Sequence, residues 1–338
     1  MPLRPSLLAV LVAVIWGANF VVIDLGLGDL PPTLFVALRF VAVLVPAIFL
    51  VPRPTARWRD VLLVGFFMSL CQFGLLYTAL SLGMPPGLAS LVLQAQVGLT
   101  VLFAALALRE VPTRWQLVGV VVGAAGLVVV GLGRSASTPA LAFVVTLAAA
   151  ASWAVGNVVQ RRSGSRAATQ ADRGTTSAVR GTTSRRRPAP AWADGLSMTV
   201  WSALVVPVPL LGLALWTDGP DAVGHALTHL TLAPLLSTAY TAWLASLVGY
   251  GIWNGLLARY PASAVVPFTM LVPVVGMLAA WLVLDEVPNV AEATGGVVLL
   301  LGVAITTGVL RRRRPARLVP GAEPTPTAEP RVVRRFAG

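Results

Sequence analysis

The chain is a succession of ten apolar runs of roughly 20 residues, separated by short polar breaks. Each run is long enough for an α-helix to cross the roughly 30 Å hydrocarbon core of a bilayer. Backbone polar groups in that core must pair within a segment or a closed barrel, and the sequence lacks the ten-residue alternation of barrel strands, so the runs predict helices. The predicted spans are 5–23, 33–50, 61–81, 87–108, 115–133, 139–159, 194–216, 233–258, 262–284 and 291–310.

Composition supports an all-α integral membrane protein. Hydrophobic residues make up 57% of the 338 positions and charged residues only 11%, which is too little charge to cover the surface of soluble domains. The single cysteine, Cys71, lies inside the third run and excludes an intrachain disulfide. We therefore expect a multi-pass protein of the cell (inner) membrane, with the lipid bilayer as its surroundings.

The 25 basic residues are all arginine, and their positions predict the orientation. Eight lie between residues 161 and 187 and eight more between 311 and 335. Cytoplasmic loops of membrane proteins collect such charges, so both termini are expected in the cytoplasm. With that orientation, Arg134 is the one arginine in an outer loop. We interpret the net charge of +12 as a topology signal and not as a nucleic-acid-binding surface.

One hydrophobic pattern occurs twice. Glu-Val-Pro follows the fourth run at Glu110 and the ninth run at Glu286, and Gly119 and Gly295 keep the same separation of 176 positions. Each copy spans five helices, and five is odd, so the second copy is expected to lie upside down relative to the first. The sequence therefore predicts ten transmembrane helices in two inverted five-helix repeats, an arrangement typical of secondary transporters.

The polar stretches complete the predicted organisation. Residues 1–159 hold the first repeat and the sixth helix, with the repeat boundary near 134–139. Residues 160–193 are rich in Arg, Ser, Thr and Gly and are expected to form a disordered cytoplasmic linker. Residues 194–310 hold the remaining helices, and residues 311–338 are expected to form a disordered cytoplasmic tail.

Polar and aromatic side chains inside the apolar runs are the candidates for a substrate pathway, because such groups are costly in lipid. Amides and indoles would suit small zwitterionic solutes, although an interhelical hydrogen bond is an equal alternative for any single amide. Gln94 and Gln96 are about 200° apart on an ideal helix, so only one of them is expected to line a cavity. The candidate substrate-binding residues are Trp16, Asn19, Arg39, Gln72, Tyr77, Gln94, Gln96, Asn157, Tyr250, Trp253 and Asn254.

Arg39 is the one basic residue inside a predicted span. Its charge allows three roles: an ion pair with Asp24, a position at the membrane interface, or a contact with a substrate carboxylate. Pro267 and Pro273 interrupt the ninth run at the depth of Gln94. Proline removes helical hydrogen bonds, so these two predict either a broken helix at the binding site or a kink used only in packing.

The repeated acids allow two roles. Glu110 and Glu286 each stand beside a proline at a predicted helix end, where they are expected to satisfy nearby backbone groups or pair across an interface. Proton coupling is the alternative. The stripe of Gly119, Gly123 and Gly126 is expected to serve internal helix packing, and it leaves a homodimer open.

Signatures of catalysis are missing from the sequence. It contains neither a Walker A motif nor Gly-x-Ser-x-Gly, and His225 and His229 have no third candidate ligand nearby. We therefore expect no enzyme activity, no cofactor and no metal.

Four stretches resemble the EamA family of the drug/metabolite transporter superfamily, especially its bacterial exporters of O-acetylserine and cysteine. They are WGANFVVIDLGL from Trp16, PPTLFVALRF from Pro31, QFGLLYTALSLGMPPGLASLVLQAQ from Gln72 and VGYGIWNGLLARYPASAVVPFTMLVPVVG from Val248. The resemblance implies ten helices, cytoplasmic termini and export of small amino-acid metabolites. It directs attention to Trp16, Asn19, Arg39, Gln72, Gln94 and Gln96. Asp24 departs from it, because these exporters usually carry lysine there.

The sequence therefore predicts a secondary transporter that exports small amino-acid metabolites across the inner membrane by alternating access. An exporter of other amphipathic metabolites or drugs is the alternative within this class. A membrane sensor or assembly subunit that does not transport is the alternative from another class.

Overall fold

In a computed structural model of the protein, the described backbone comprises residues 1–28, 30–177 and 191–310. Within those ranges, ten helices are long and apolar enough to cross a membrane, which confirms the prediction from hydrophobic patterning. They are α1 (Leu3–Leu27), α2 (Pro32–Leu50), α3 (Trp58–Ser81), α4 (Pro86–Leu108), α5 (Arg114–Gly133), α6 (Ala140–Ser163), α7 (Gly195–Thr217), α8 (Leu232–Arg259), α9 (Ala262–Leu284) and α10 (Val290–Thr307).

The backbone of α6 continues as a helix beyond its apolar part, to Ser177. The domain boundary expected at residue 160 therefore does not coincide with a helix end. Alanine, glutamine and arginine are good helix formers, so a polar sequence that follows a membrane helix can extend it. The rest of the predicted linker, 178–190, and the predicted tail, 311–338, lie outside the described residues.

Helices α5 and α10 cross in direct backbone contact along their glycines. A Cβ atom added to Gly126 would lie 2.4 Å from the Leu299 nitrogen, and one added to Gly302 would lie 2.3 Å from the Gly123 nitrogen. Small residues allow this approach, which increases van der Waals contact where lipid offers no hydrophobic driving force. The glycine stripe identified in the sequence is therefore used for contact inside the protein.

The two Glu-Val-Pro segments have the same local structure. Arg109 and Asp285, which precede them, are the two non-glycine residues with positive φ in the described ranges, both at 55°. Each segment then leads into a helix with a capping box, formed by Thr113 with Gln116 and by Asn289 with Glu292. The same helix end, turn and helix start therefore recur 176 positions apart.

These two turns lie at opposite ends of the helix bundle. We call the end at which α1 begins the terminal face and the other end the opposite face. At the terminal face, Arg161 pairs with Glu110 at 3.1 Å. At the opposite face, the Asn289 amide donates to the Gly133 carbonyl at 3.1 Å, and the Ser135 backbone N–H donates to Glu292 at 3.2 Å.

Candidate functional site

A cavity of about 450 Å³ lies at the centre of the bundle, within the range of about 300–1,000 Å³ for small-molecule pockets. Its wall combines side-chain amides with aromatic rings. At one end it is bordered by Gln160, Leu257 and Thr307, which lie near the terminal-face ends of their helices. The polar and aromatic lining residues are Trp16, Asn19, Phe20, Arg39, Phe40, Ser69, Gln72, Phe73, Ser90, Gln94, Gln96, Trp153, Asn157, Gln160, Thr199, Ser202, Ser246, Tyr250, Trp253, Asn254, Thr269 and Thr307.

Ten of the eleven candidate residues from the sequence line this cavity, and Tyr77 does not. Tyr77 is fully buried beside it, and its hydroxyl accepts a hydrogen bond from Arg39 at 3.1 Å. Tyr77 therefore supports a lining residue. The sequence could not distinguish these roles, because a tyrosine in an apolar helix looks the same in either place.

Gln94 and Gln96 both line the cavity, so the expectation that only one of them would do so is wrong. The reason is a break in α4, whose two helical segments, Pro86–Val92 and Ala95–Leu108, are separated by a turn at Leu93 and Gln94. The ideal helical angle between the two glutamines does not apply across this turn. No proline or glycine marks the break, which is why the sequence did not reveal it.

Helix α9 is broken at the corresponding depth. A helical turn at Ala262–Val265 is followed by a 3₁₀ segment at Val266–Met270 and then by Leu271–Leu284. Pro273 has no N–H to donate to Thr269 four residues earlier. The Gln94 amide reaches that freed carbonyl across the cavity, at 3.5 Å. Helix α9 is therefore interrupted next to the cavity, opposite the break in α4, and a role of this interruption in substrate binding stays a prediction.

Helices α3 and α8 contain wide-turn π segments at Gly65–Cys71 and Tyr240–Val248. Such segments insert a residue into a helix and are frequent at functional sites. Ser69 and Ser246, one in each segment, line the cavity. Hydrophobic periodicity does not predict them, because a single π turn leaves the apolar run intact.

Arg39 is the one charged side chain among the described lining residues, and it is only 2% exposed. One terminal nitrogen donates to Tyr77, the other donates to the Ser246 hydroxyl at 3.2 Å, and the guanidinium carbon lies 4.2 Å from the centre of the Phe73 ring. The ion pair with Asp24 that the sequence allowed is wrong, because no salt bridge joins the two residues, both of which are described. Arg39 therefore carries a charge into the cavity without a carboxylate partner in the described structure.

Aromatic rings form one side of the cavity wall. The Trp16 ring lies 5.0 Å from Tyr250 and 5.4 Å from Trp253, centre to centre. The Trp16 indole N–H donates to the Ala245 carbonyl at 2.9 Å, which fixes the ring to α8. Such rings offer apolar contact and attract cations through their faces.

A second polar group lies between α4 and α6. The Asn157 amide donates to Gln96 at 2.9 Å and to the Thr100 hydroxyl at 3.2 Å. Two roles were open for such amides from the sequence alone, a substrate contact and an interhelical hydrogen bond. Gln96 and Asn157 make the interhelical bond and also line the cavity, so the two roles coincide.

Towards the opposite face the cavity ends where α1, α4 and α9 pack closely at two glycines. A Cβ atom added to Gly17 would lie 2.6 Å from Val275, and one added to Gly276 would lie 2.4 Å from the Ser90 hydroxyl. Helices α1, α4 and α9 thus meet without room for a further methyl group. This contact layer separates the cavity from the opposite face.

Glu286 contributes to the same closure. Its carboxylate accepts a hydrogen bond from the Gly87 backbone N–H at 3.2 Å. Pro86 has no N–H, so Gly87 offers the first free donor of α4, and Glu286 caps it from the turn that follows α9. Burial raises the pKa of the Glu286 carboxyl above its usual value, the Gly87 N–H opposes this, and the charges of Asp24 and Glu292 add to the rise.

The counterpart acid at the terminal face has a different partner. In the two copies of the repeated pattern, which are 176 positions apart, Glu110 occupies the position of Glu286 and Ser263 occupies the position of Gly87. Glu110 instead pairs with Arg161, both side chains being exposed, and Ser263 is exposed as well. The second half of α9 packs against the start of α4, whereas no comparable contact joins the start of α9 to the second half of α4.

His225 and His229 lie in the connection between α7 and α8, where their rings stack at 4.1 Å. In the part of the chain that the structure describes, no group of three or more potential metal ligands occurs.

Ten membrane-crossing helices around a central polar cavity define a multi-pass protein of the transporter class. The sequence matches the EamA-like transporter family over residues 3–132 and 174–308, and the chain belongs to that family. It is a multi-pass protein of the inner membrane.

Relatives of similar length are named as exporters. The chain is 37% identical to a probable amino-acid metabolite efflux pump of Escherichia coli K12 over 317 residues, which cover 93% of this chain and 98% of the relative. It is 38% identical to the protein of the same name from Salmonella typhimurium LT2, with the same coverage. A probable terminal-alkyne amino-acid exporter of Streptantibioticus cattleyicolor is 27% identical, over 91% of this chain and 95% of the relative.

A solved crystal structure has the same fold, with a TM-score of 0.56 at 19% identity. The match covers 91% of this chain and 99% of that chain.

Proposed function

We propose that the protein is a secondary transporter that exports small amino-acid metabolites, of the cysteine and O-acetylserine class, by alternating access. The observation that carries this proposal is the central cavity, which borders the terminal face at Gln160 and Thr307 and is closed beyond Ser90 at the opposite face. A polar chamber of this size, closed at one end, suits a small solute held midway across the membrane.

The wall chemistry supports a substrate of the amino-acid kind. Amides at Asn19, Gln72, Gln94 and Asn254 supply donors and acceptors in the same chamber as one cation. Relatives at 37% and 38% identity carry the name amino-acid metabolite efflux pump, which favours the same substrate class here. The aromatic wall around Trp16 favours amphipathic solutes as the second candidate class.

The difference between the two faces supports alternating access. We infer that the recurring local structure reflects two inverted five-helix repeats, with both termini in the cytoplasm. In the described conformation Glu286 holds Gly87 at the opposite face, while Glu110 lies apart from its counterpart Ser263. Exchanging the two arrangements would close the terminal face and open the other, because related halves can adopt each other's conformation at similar energy.

Counterflow in proteoliposomes tests the transport activity. Vesicles loaded with unlabelled L-cysteine should take up external labelled L-cysteine in a saturable way. Gln94→Leu and Gln96→Leu should lower the rate about tenfold or more, because each leaves a polar partner unpaired in the cavity. Gln116→Leu is the matched control: it removes an amide from a helix cap outside the cavity and should retain the rate.

The other outcomes separate the alternatives. Exchange of bulky aromatic compounds without exchange of cysteine would replace the substrate class with the amphipathic one. Absence of exchange for every solute tested would favour a membrane sensor or assembly subunit. Normal rates in both glutamine variants would show that the amide wall does not contact the substrate.

A further inference from the structure

Two cavity residues each bury a polar atom that has no hydrogen-bond partner in the described part of the protein. They are the Nε–H of Arg39, a donor, and the side-chain oxygen of Asn19, an acceptor. Both residues line the central cavity, and both are buried, at 2% and 8% exposure. Buried polar groups are normally paired, and these two unpaired atoms belong to residues that line the same cavity.

The Arg39 site lacks negative charge. Its terminal nitrogens donate to two neutral hydroxyls, and the aromatic ring of Phe73 covers one side of the guanidinium. A buried cation without a counter-ion is costly in a medium of low dielectric constant. A carboxylate in the cavity would neutralise this charge and accept from the remaining N–H.

The Asn19 site has the opposite chemistry. Its free oxygen needs a donor, and no aspartate or glutamate lies among the described lining residues to compete for one. Trp16 lies one turn away on the same helix and contacts Tyr250 and Trp253 through its ring. An amide oxygen in a cavity that is also lined by aromatic rings suits an ammonium group, which donates hydrogen bonds and is attracted to the faces of such rings.

We propose that the cavity recognises the zwitterionic head of an α-amino acid, with Arg39 binding the carboxylate and Asn19 binding the ammonium group. The two unpaired atoms match the two ends of that head in sign and in hydrogen-bonding role. Side chains of different amino-acid metabolites would then face the amides and rings of the remaining wall. This inference rests on the proposed function and specifies which part of the substrate the cavity selects.

Three thiols that differ only in their charged groups test the proposal on the full-length purified protein. L-cysteine carries both charges, cysteamine lacks the carboxylate, and 3-mercaptopropionate lacks the ammonium group. Their affinities follow from the concentration-dependent shift of thermal unfolding, recorded by tryptophan fluorescence under a reductant. The wild-type protein should bind L-cysteine at least about tenfold more tightly than either analogue.

Two variants assign the charges to residues. Arg39→Gln should abolish the preference for cysteine over cysteamine, and Asn19→Leu should abolish the preference for cysteine over 3-mercaptopropionate. Arg39→Lys should retain part of the carboxylate preference, and it replaces the glutamine variant if that protein does not fold. Arg53→Gln is the control, because it removes an exposed arginine outside the cavity and should keep the wild-type ranking.

Two results would overturn the proposal. Equal binding of the three thiols by the wild-type protein would show that the cavity does not recognise the zwitterionic head. Equal weakening of all three ligands in each variant would show that Arg39 and Asn19 only support the structure. Cysteine counterflow tests transport separately. If the protein exchanges cysteine but binds the three thiols with equal affinity, only the proposed binding site is refuted. If the protein prefers L-cysteine over both analogues but does not exchange it, only the proposed transport is refuted.

Discussion

The hydrogen bond from Gly87 to Glu286 is the contact that we expect to control opening at the opposite face. Glu286→Gln keeps an oxygen that can accept from Gly87 and removes the charge, whereas Glu286→Ala removes the acceptor and leaves the Gly87 N–H without a cap. The comparison between these two variants isolates the hydrogen bond, because neither carries the charge that Asp24 and Glu292 repel.

The magnitude follows from the chemistry of a neutral hydrogen bond. Its net contribution is about 1 kcal/mol, and a free-energy difference of that size changes an equilibrium about fivefold. The Ala variant should therefore populate conformations open at the opposite face about five times more than the Gln variant. The close contact of Gly87 with Ala280 remains in both proteins, so the change should be confined to the bond itself.

Labelling of a single thiol at Ser90 measures this opening. Ser90 lines the cavity, is 1% exposed and lies beyond the closure from the opposite face. In Cys71→Ser, Ser90→Cys proteins in intact cells, an impermeant maleimide should react about five times faster with the Ala variant than with the Gln variant. Arg53→Gln is the control: its exposed side chain lies outside the cavity and outside the Glu286 closure, so labelling should not change. Equal rates in the Gln and Ala variants would refute the role of Glu286 in the closure.

Three further predictions concern the charge of Glu286, the support of Arg39 and the contact between α5 and α10. The pKa of the Glu286 carboxyl is raised in the closed structure, so its protonated form stabilises the closed conformation. That stabilisation is complete at pH values below the ordinary carboxyl pKa and is lost as pH rises through the raised pKa. Acidification from pH 7 should therefore slow the labelling of Ser90→Cys in the protein with native Glu286, towards the rate of the Glu286→Gln protein. The Glu286→Gln rate, measured at each pH, corrects for the pH dependence of the reagent. A ratio of these two rates that stays constant with pH would contradict the prediction. Tyr77→Phe removes one acceptor from Arg39 and should change cysteine affinity without placing a new group in the cavity, as thermal-shift titration would measure. Gly126→Ala should cost about 1–3 kcal/mol through overpacking and lower the melting temperature, whereas Gly212→Ala, with open space around it, should not; equal melting temperatures would refute direct backbone contact at Gly126.

The sequence predicted the ten helices and ten lining residues because both depend on composition within a run. Apolar runs long enough to cross a bilayer have few alternatives to helices, and polar residues inside them rarely face lipid. Asn157 and Gln96 are an example: each was a candidate from its chemistry alone, and the structure places them 2.9 Å apart in the cavity wall, while their contact with substrate stays a prediction.

Local departures from the ideal helix could not be predicted from the sequence. The turn at Leu93 and Gln94 has no proline or glycine, so it reveals itself only through contacts with α9, including the carbonyl freed by Pro273. The π segments in α3 and α8 likewise leave the hydrophobic pattern unchanged. The partners of Arg39 depend on which helices pack together, and the sequence does not show this. Asp24 was considered as a partner only because it is an acidic residue near an isolated arginine in the sequence.

Spin-label distances at the two faces under turnover conditions would test whether one cavity reaches each side of the membrane in turn. In a Cys71→Ser background, one label pair at Val111 and Ala262 reports on the terminal face, and another at Leu82 and Val287 reports on the opposite face. We predict that adding L-cysteine shortens part of the Val111–Ala262 distance distribution and lengthens part of the Leu82–Val287 distribution. Distances that stay fixed, or that lengthen together, would contradict alternating access.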